Sequence, residues 1–299
     1  MSLNKSSMAW LDSLLLFTSF TSLALNGVLV IGNYRRGARR WATDGILITM
    51  TAFLDCLMSI CIIWATLSRL VDPSLVYDGS RWCHITFICG RILGMTCLNL
   101  VMYLSLVRYL VIVRHRNSNP RFWTILAILT VLSIAVITVL RYTDPDLRVF
   151  PSGVYCSVVS QDATLGISLV SNALYLFSFP PLFVIPFCYA KVSSHYARLI
   201  SICESDLHVV QKMRGKIAGI ILVTLAYWLA VIPGVLLYFA IRLFDLVPSP
   251  TIDGLVYWLL TSVALINGIF PIFFHNEIRA SVVDMFSPKR SLYQNQQLY

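Results

Sequence analysis

Two formal charges stand where this chain of 299 residues is most apolar: Asp55, in FLDCLMS, and Arg91, eight residues after Cys83. An ionised group at the centre of a bilayer costs roughly 2.5–3.5 kcal/mol, so each should turn inward and find partners. For Asp55 the candidates are the amides of Asn26, in LNGVLV, and Asn267, in LINGIFP. Amides beside a buried carboxylate donate hydrogen bonds or help to hold a cation; the plainer reading is a structural polar cluster. Arg91 in a water-filled cavity open to the outside would pair with an anionic ligand group. Otherwise it snorkels outward or meets a loop carboxylate such as Asp144 or Asp146. Nothing points to catalysis. The five histidines (His84, His115, His195, His208 and His275) are scattered, and the sequence has no Cys/His metal spacing, phosphate loop or nucleophile elbow. No enzymatic activity, metal or cofactor is expected.

The elements that must position these groups are membrane helices. Hydrophobic residues make up 58% of the chain and charged residues 12%, against about one quarter charged in a soluble domain. Cys83 to Val113 is almost unbroken apolar sequence, longer than the roughly 20 residues that cross a bilayer. Seven such segments are expected, near 9–33, 46–70, 84–113, 122–140, 165–190, 216–243 and 252–274. The net charge of +9 lies in short pieces between them, which points to anionic lipid headgroups rather than nucleic acid. Sixteen Lys and Arg follow the odd-numbered segments, among them Arg35, Arg36, Arg114 and Arg116, and six lie on the other side. That bias places the N-terminus outside and the C-terminus in the cytoplasm. No cleavable leader is expected, because the run from Leu11 to Ile31 is too long and Arg35-Arg36 follow it.

Under this topology Cys56, Cys61, Cys89, Cys97 and Cys188 fall within helices and Cys203 in a cytoplasmic loop. Only Cys83 and Cys156 reach oxidising space, so they either form a disulfide or remain two free buried thiols. Asn4-Lys5-Ser6 is a glycosylation sequon on the outer side. The expected division is a short extracellular stretch over 1–8, the bundle over 9–274, an amphipathic eighth helix over 275–286 and a cytoplasmic tail over 287–299. Pro180, Pro181 and Pro186 interrupt segment five, Pro233 segment six and Pro271 segment seven. Each removes a backbone hydrogen bond that neighbouring helices must replace, which suits spans that pivot.

Taken together these landmarks resemble the rhodopsin-like (class A) family of G-protein-coupled receptors. Asn26, Asp55, Cys83 and Arg108-Tyr109 match its landmark residues in order, with separations of 29, 28 and 25 residues. Pro181 and Tyr189 in PLFVIPFCY match the segment-five spacing. YWLAVIP, with Tyr227, Ala230, Val231 and Pro233, resembles FxxCWxP, and FPIFF, with Pro271, resembles NPxxY. The likeness covers nearly the whole chain.

Several positions depart from the family pattern. Val107 replaces the acid before Arg108, so the arginine lacks its adjacent counter-ion and raised basal activity is expected. Val231 replaces the segment-six tryptophan unless the register moves to Trp228. Phe270 and Phe274 replace the asparagine and tyrosine of NPxxY.

The resemblance implies a plasma-membrane, multi-pass receptor passing the binding of an extracellular small ligand to a cytoplasmic heterotrimeric G protein. Arg108, Tyr109, Tyr189, Tyr227, Pro233 and Pro271 would carry coupling and switching, and Asp55, Asn26 and Asn267 a sodium-like polar site. Arg91, Gly90, Tyr257 and Trp258 would line the ligand pocket. Ala264 stands where a light receptor carries its retinal lysine, and Gly90 where an amine receptor carries its acid. An anionic or lipid-like ligand is therefore expected. The alternative is a seven-helix transporter or channel using Asp55 as an ion or proton site.

Overall fold

The computed structural model describes residues 9–35, 43–116, 118–142, 147–158, 165–202, 207–244, 247–274 and 279. They form a helix bundle with one small hairpin. The helices are α1 (Ala9–Arg35), α2 (Thr43–Val71), α3 (Arg81–Ile112), α4 (Pro120–Tyr142), α5 (Leu165–Ile202) and α6 (Leu207–Phe244), followed by α7 (Pro250–Thr261) and α8 (Val263–Phe274). Strands β1 (Leu147–Val149) and β2 (Cys156–Val158) pair antiparallel between α4 and α5.

Among the described residues, six stretches are long and apolar enough to span a membrane, with α7 and α8 together forming the last. Helix α5 supplies the other crossing, with no charged residue from Leu165 to Ala190. The chain is thus a multi-pass, seven-span membrane bundle. Its outer surface is consistent with lipid. Phe122, Ile125, Leu129, Leu132, Val136 and Val139 recur every three or four residues along α4, each 55–58% exposed. A soluble monomer rarely leaves so continuous an apolar face in water.

The prolines are carried inside continuous helix: Pro180, Pro181 and Pro186 in α5, Pro233 in α6 and Pro271 in α8. The seventh segment, expected as one helix over 252–274, is instead divided at Ser262. Ser262 Oγ donates to the Leu259 carbonyl at 2.6 Å, and Thr261 Oγ1 to the Trp258 carbonyl at 3.0 Å. Two successive hydroxyls bonding back onto the preceding turn compete with the helical ladder there. The expected eighth helix over 275–286 and the sequon at Asn4 lie outside the described residues.

Helix α3 is the central element, packing on α2, α4 and α5 and meeting both strands at its outer end. The main core gathers around it, with Leu29, Leu47, Leu100, Val107, Ile185, Tyr189 and Tyr227 all closed from solvent. Ser80 caps α3 by accepting from the Cys83 amide at 3.1 Å, which fixes the turn on which Cys83 sits. Cys83 is disulfide-bonded to Cys156, tying the outer end of α3 to β2.

Candidate functional site

Asp55 and Arg91 line the same cavity, about 280 Å³ in volume, between α3, α5, α6 and α7. Among the described residues they are the only charged side chains on its wall. Cys97 lies beside the Asp55 carboxylate on α3. Arg91 is six residues nearer the outer end of that helix, roughly 9 Å along its axis.

At the inner end, Asn267 Nδ2 donates to Asp55 Oδ2 at 3.0 Å. Asn26 is placed differently from the expectation. Its amide donates to Ser22 and, at 2.9 Å, to the Ala264 carbonyl, so it clamps α1 to α8 rather than touching the carboxylate. Ser59 links α2 to α1 beside them: its hydroxyl lies 2.7 Å from the backbone carbonyl of Asp55, one turn back, and 3.0 Å from Ser22 Oγ. Asp55 is only 1% exposed. Gly268 makes this junction close, since a Cβ there would lie 3.0 Å from Asn26 Nδ2 and 3.2 Å from Leu25 Cβ.

Arg91 reaches the loop side. Its guanidinium lies 3.4 Å from Ser157 Oγ and 5.8 Å from the centre of the Phe87 ring. Asp144 and Asp146 lie outside the described residues, and among those described no carboxylate forms an ion pair with Arg91. Gly90 and Gly94 keep the α3 wall bare beside it, and Tyr257 lines the cavity from α7. Trp258 does not line it. It packs, as Tyr257 also does, against the cluster of Leu11, Leu15, Met58, Ile62 and Val154.

The hairpin loop roofs the cavity, a feature the sequence reading did not contain. Tyr155 is stacked between Phe150 and Tyr257, with ring centres 4.7 and 4.6 Å away. Its hydroxyl donates to Asp253 Oδ1 at 2.7 Å, and the Ser152 amide donates to Asp253 Oδ2 at 3.0 Å. Burial, reinforced by the Asp253 charge, pushes the Tyr155 phenol well above its usual range. Arg69 secures the same loop by donating to the Gly153 carbonyl at 3.2 Å while ion-paired with Asp12 of α1. Tyr155 directly precedes Cys156, and that adjacency was the one sequence signal for its position.

At the cytoplasmic end, Arg108 Nη1 donates to Tyr189 Oη at 3.0 Å, and Arg108 Nε lies 3.8 Å from Asp44 Oδ2. The expectation of an arginine without an adjacent acid holds for Val107, but Arg108 has a counter-ion from α2. Val107 is 0% exposed, so an acid at that position would be buried in core. Tyr109 points elsewhere, packing on Phe187 at 6.1 Å and accepting from Arg114 Nε at 3.0 Å. Tyr227 is 2% exposed, and its hydroxyl has no partner among the described residues. Val231 is buried on the cavity wall, whereas Trp228 is 41% exposed on the outer surface, so no tryptophan takes the switch position. Ala264 also lines the cavity, and among the described residues no lysine does.

No protein-family model matches this chain, and no curated protein does. Among solved structures, the crystal structure of squid rhodopsin is similar, with a TM-score of 0.74 at 15% sequence identity. The match covers 96% of this chain and 87% of that one. The two share a seven-helix fold.

Proposed function

We propose that this protein is a plasma-membrane receptor that binds a small anionic or lipid-like ligand from outside and couples to a cytoplasmic heterotrimeric G protein. The observation that carries this reading is the placement of Arg91 on the wall of a mostly apolar cavity, below a loop pinned by a disulfide. A guanidinium with no ion-paired carboxylate among the described residues, above an apolar chamber, suits a carboxylate or phosphate head with a hydrophobic body. Gly90 leaves room beside it, and Tyr257 offers an aromatic wall.

The inner face gives the reading its second half. Arg108, held by Tyr189 and Asp44, lies on the side where basic residues cluster, and Tyr109 on α3 and Tyr227 on α6 would share in coupling. Pro233 and Pro271 mark where α6 and α8 would bend. Ligand binding drives such a change only by favouring one bundle state over another. Asp55 and Asn267, with Asn26, Ser22 and Ser59 beside them, form a polar node that would hold a sodium-like cation in the resting state. Asn4 would carry a glycan. A screen of acidic and lipid-like compounds against a panel of G-protein reporters tests the proposal. A concentration-dependent response lost with Arg91→Ala supports it, and silence across acidic and neutral compounds in surface-expressed protein overturns it.

The second reading, a transporter or channel, draws on Asp55 lining the cavity while almost wholly buried. It requires ion or substrate flux in proteoliposomes containing this chain alone, abolished by Asp55→Asn.

A further inference from the structure

Cys61 of α2 faces Cys89 of α3, and we propose that the two form a redox-active pair that peroxide converts to a second disulfide. The register of the α2–α3 seam places them together. Reading inward, Trp82 Nε1 donates to the Ala65 carbonyl at 3.3 Å, Cys97 adjoins Asp55, and Arg108 meets Asp44. Cys61 and Cys89 fall between the first and second of these pairs on both helices. The two thiols are near enough to interact with one another.

The geometry admits a covalent bridge. Packed helices lie roughly 8–10 Å apart axis to axis, and each Cα sits about 2.3 Å from its own axis. Facing Cα atoms are then roughly 3.5–5.5 Å apart, overlapping the window of about 4.4–6.8 Å that disulfides occupy. Exposure separates this pair from Cys97 and Cys188 but not from Cys56, which is half-buried too. Cys61 and Cys89 are half-buried, whereas Cys97 and Cys188 are closed off. Cys56 turns to α1, with its sulfur 4.0 Å from the Leu23 carbonyl.

The chemistry balances with hydrogen peroxide as the two-electron oxidant. One thiol sulfur takes an oxygen as the O–O bond breaks, giving S–OH and one water. The second sulfur attacks that sulfur, the S–S bond forms and the S–O bond breaks. The departing oxygen takes the second thiol's proton and leaves as another water. A dithiol reductant reverses the reaction by exchange. Cys89 directly precedes Gly90 and Arg91, so the bridge would fix against α2 the turn of α3 that carries the Arg91 guanidinium.

The test uses the full chain in lipid nanodiscs, treated with hydrogen peroxide, quenched in acid, denatured, alkylated with N-ethylmaleimide and digested for mass spectrometry. The expected result is a cross-linked peptide joining Cys61 to Cys89, with alkylation at both falling about tenfold while Cys56, Cys97 and Cys188 keep theirs. Dithiothreitol restores both sites, and Cys61→Ser leaves Cys89 fully alkylated after peroxide. Unchanged alkylation of Cys61 and Cys89, or their conversion to sulfinic acids without a cross-linked peptide, overturns the proposal. The wild-type chain decides the question even where a serine variant fails to fold.

Discussion

Asp44 and Arg108 meet across 3.8 Å at the inner end of the α2–α3 seam, within the first turn of α2 and one turn from the end of α3. The partner that sequence neighbours fail to supply comes from the next helix, because residue 107 faces the core and residue 44 faces the arginine. Asp44→Asn should therefore raise basal signalling. A partly exposed pair contributes at most about 1 kcal/mol, or roughly a fivefold change in population. A G-protein reporter at matched surface expression measures this, and basal output equal to wild type would count against the role.

Removing the Arg91 guanidinium should weaken acidic ligands far more than neutral ones. A charge-assisted hydrogen bond of about 1.5–3 kcal/mol corresponds to roughly a 10- to 150-fold loss of potency. Arg91→Lys keeps the charge without the planar fork and should recover part of the loss. If every acidic agonist kept its potency with Arg91→Ala, the anion-binding role would fall.

The Tyr155 hydroxyl gives a pH signature. Its folded pKa is raised, so above the unfolded phenol value of about 10 the native state keeps a proton that the unfolded chain loses. The native state then binds more protons, and stability falls as pH climbs. Below that pH the contribution is fully present, so the neutral range should be flat. Thermal unfolding of Tyr155→Phe should show a shallower alkaline decline than wild type. Equal slopes would mean that Tyr155 ionises freely in the fold.

Gly268 lets α8 approach α1. A methyl group there meets Asn26 Nδ2 and Leu25 Cβ at 3.0 and 3.2 Å, and Leu25 Cβ is fixed close to the backbone. Gly268→Ala should destabilise the protein by about 1–3 kcal/mol, as overpacked cores do. The melting temperature in detergent would fall, and an unchanged value would show that α8 can shift without loss.

What the sequence made legible was set by cost. A carboxylate and a guanidinium in apolar runs must face inward, and Asp55 and Arg91 do line one cavity. Two cysteines on the oxidising side have few partners, and Cys83 and Cys156 are bonded. What stayed hidden depends on helix rotation and on loops. That Trp258 misses the cavity follows from how α7 sits in the bundle, and the reach of Asn26 to Ala264 follows from how closely α8 docks. Tyr155 owes its place to the course of the hairpin, and Asp44 to the α2–α3 register. Neither leaves a periodic mark in the chain. The break at Ser262 arises from two hydroxyls whose choice of carbonyl is settled only in the folded bundle.

Cut at Ser262, the seventh crossing is two short rods sharing a joint. Through Asp253 the outer rod hangs from the hairpin, and through Asn267 and the Ala264 carbonyl the inner one is moored to α2 and α1. Main-chain bonds still cross the joint, from the Ser262 amide to the Trp258 carbonyl at 2.9 Å and from the Ile266 amide to the Ser262 carbonyl at 3.0 Å, so the two rods stay coupled while each is anchored to a different part of the bundle.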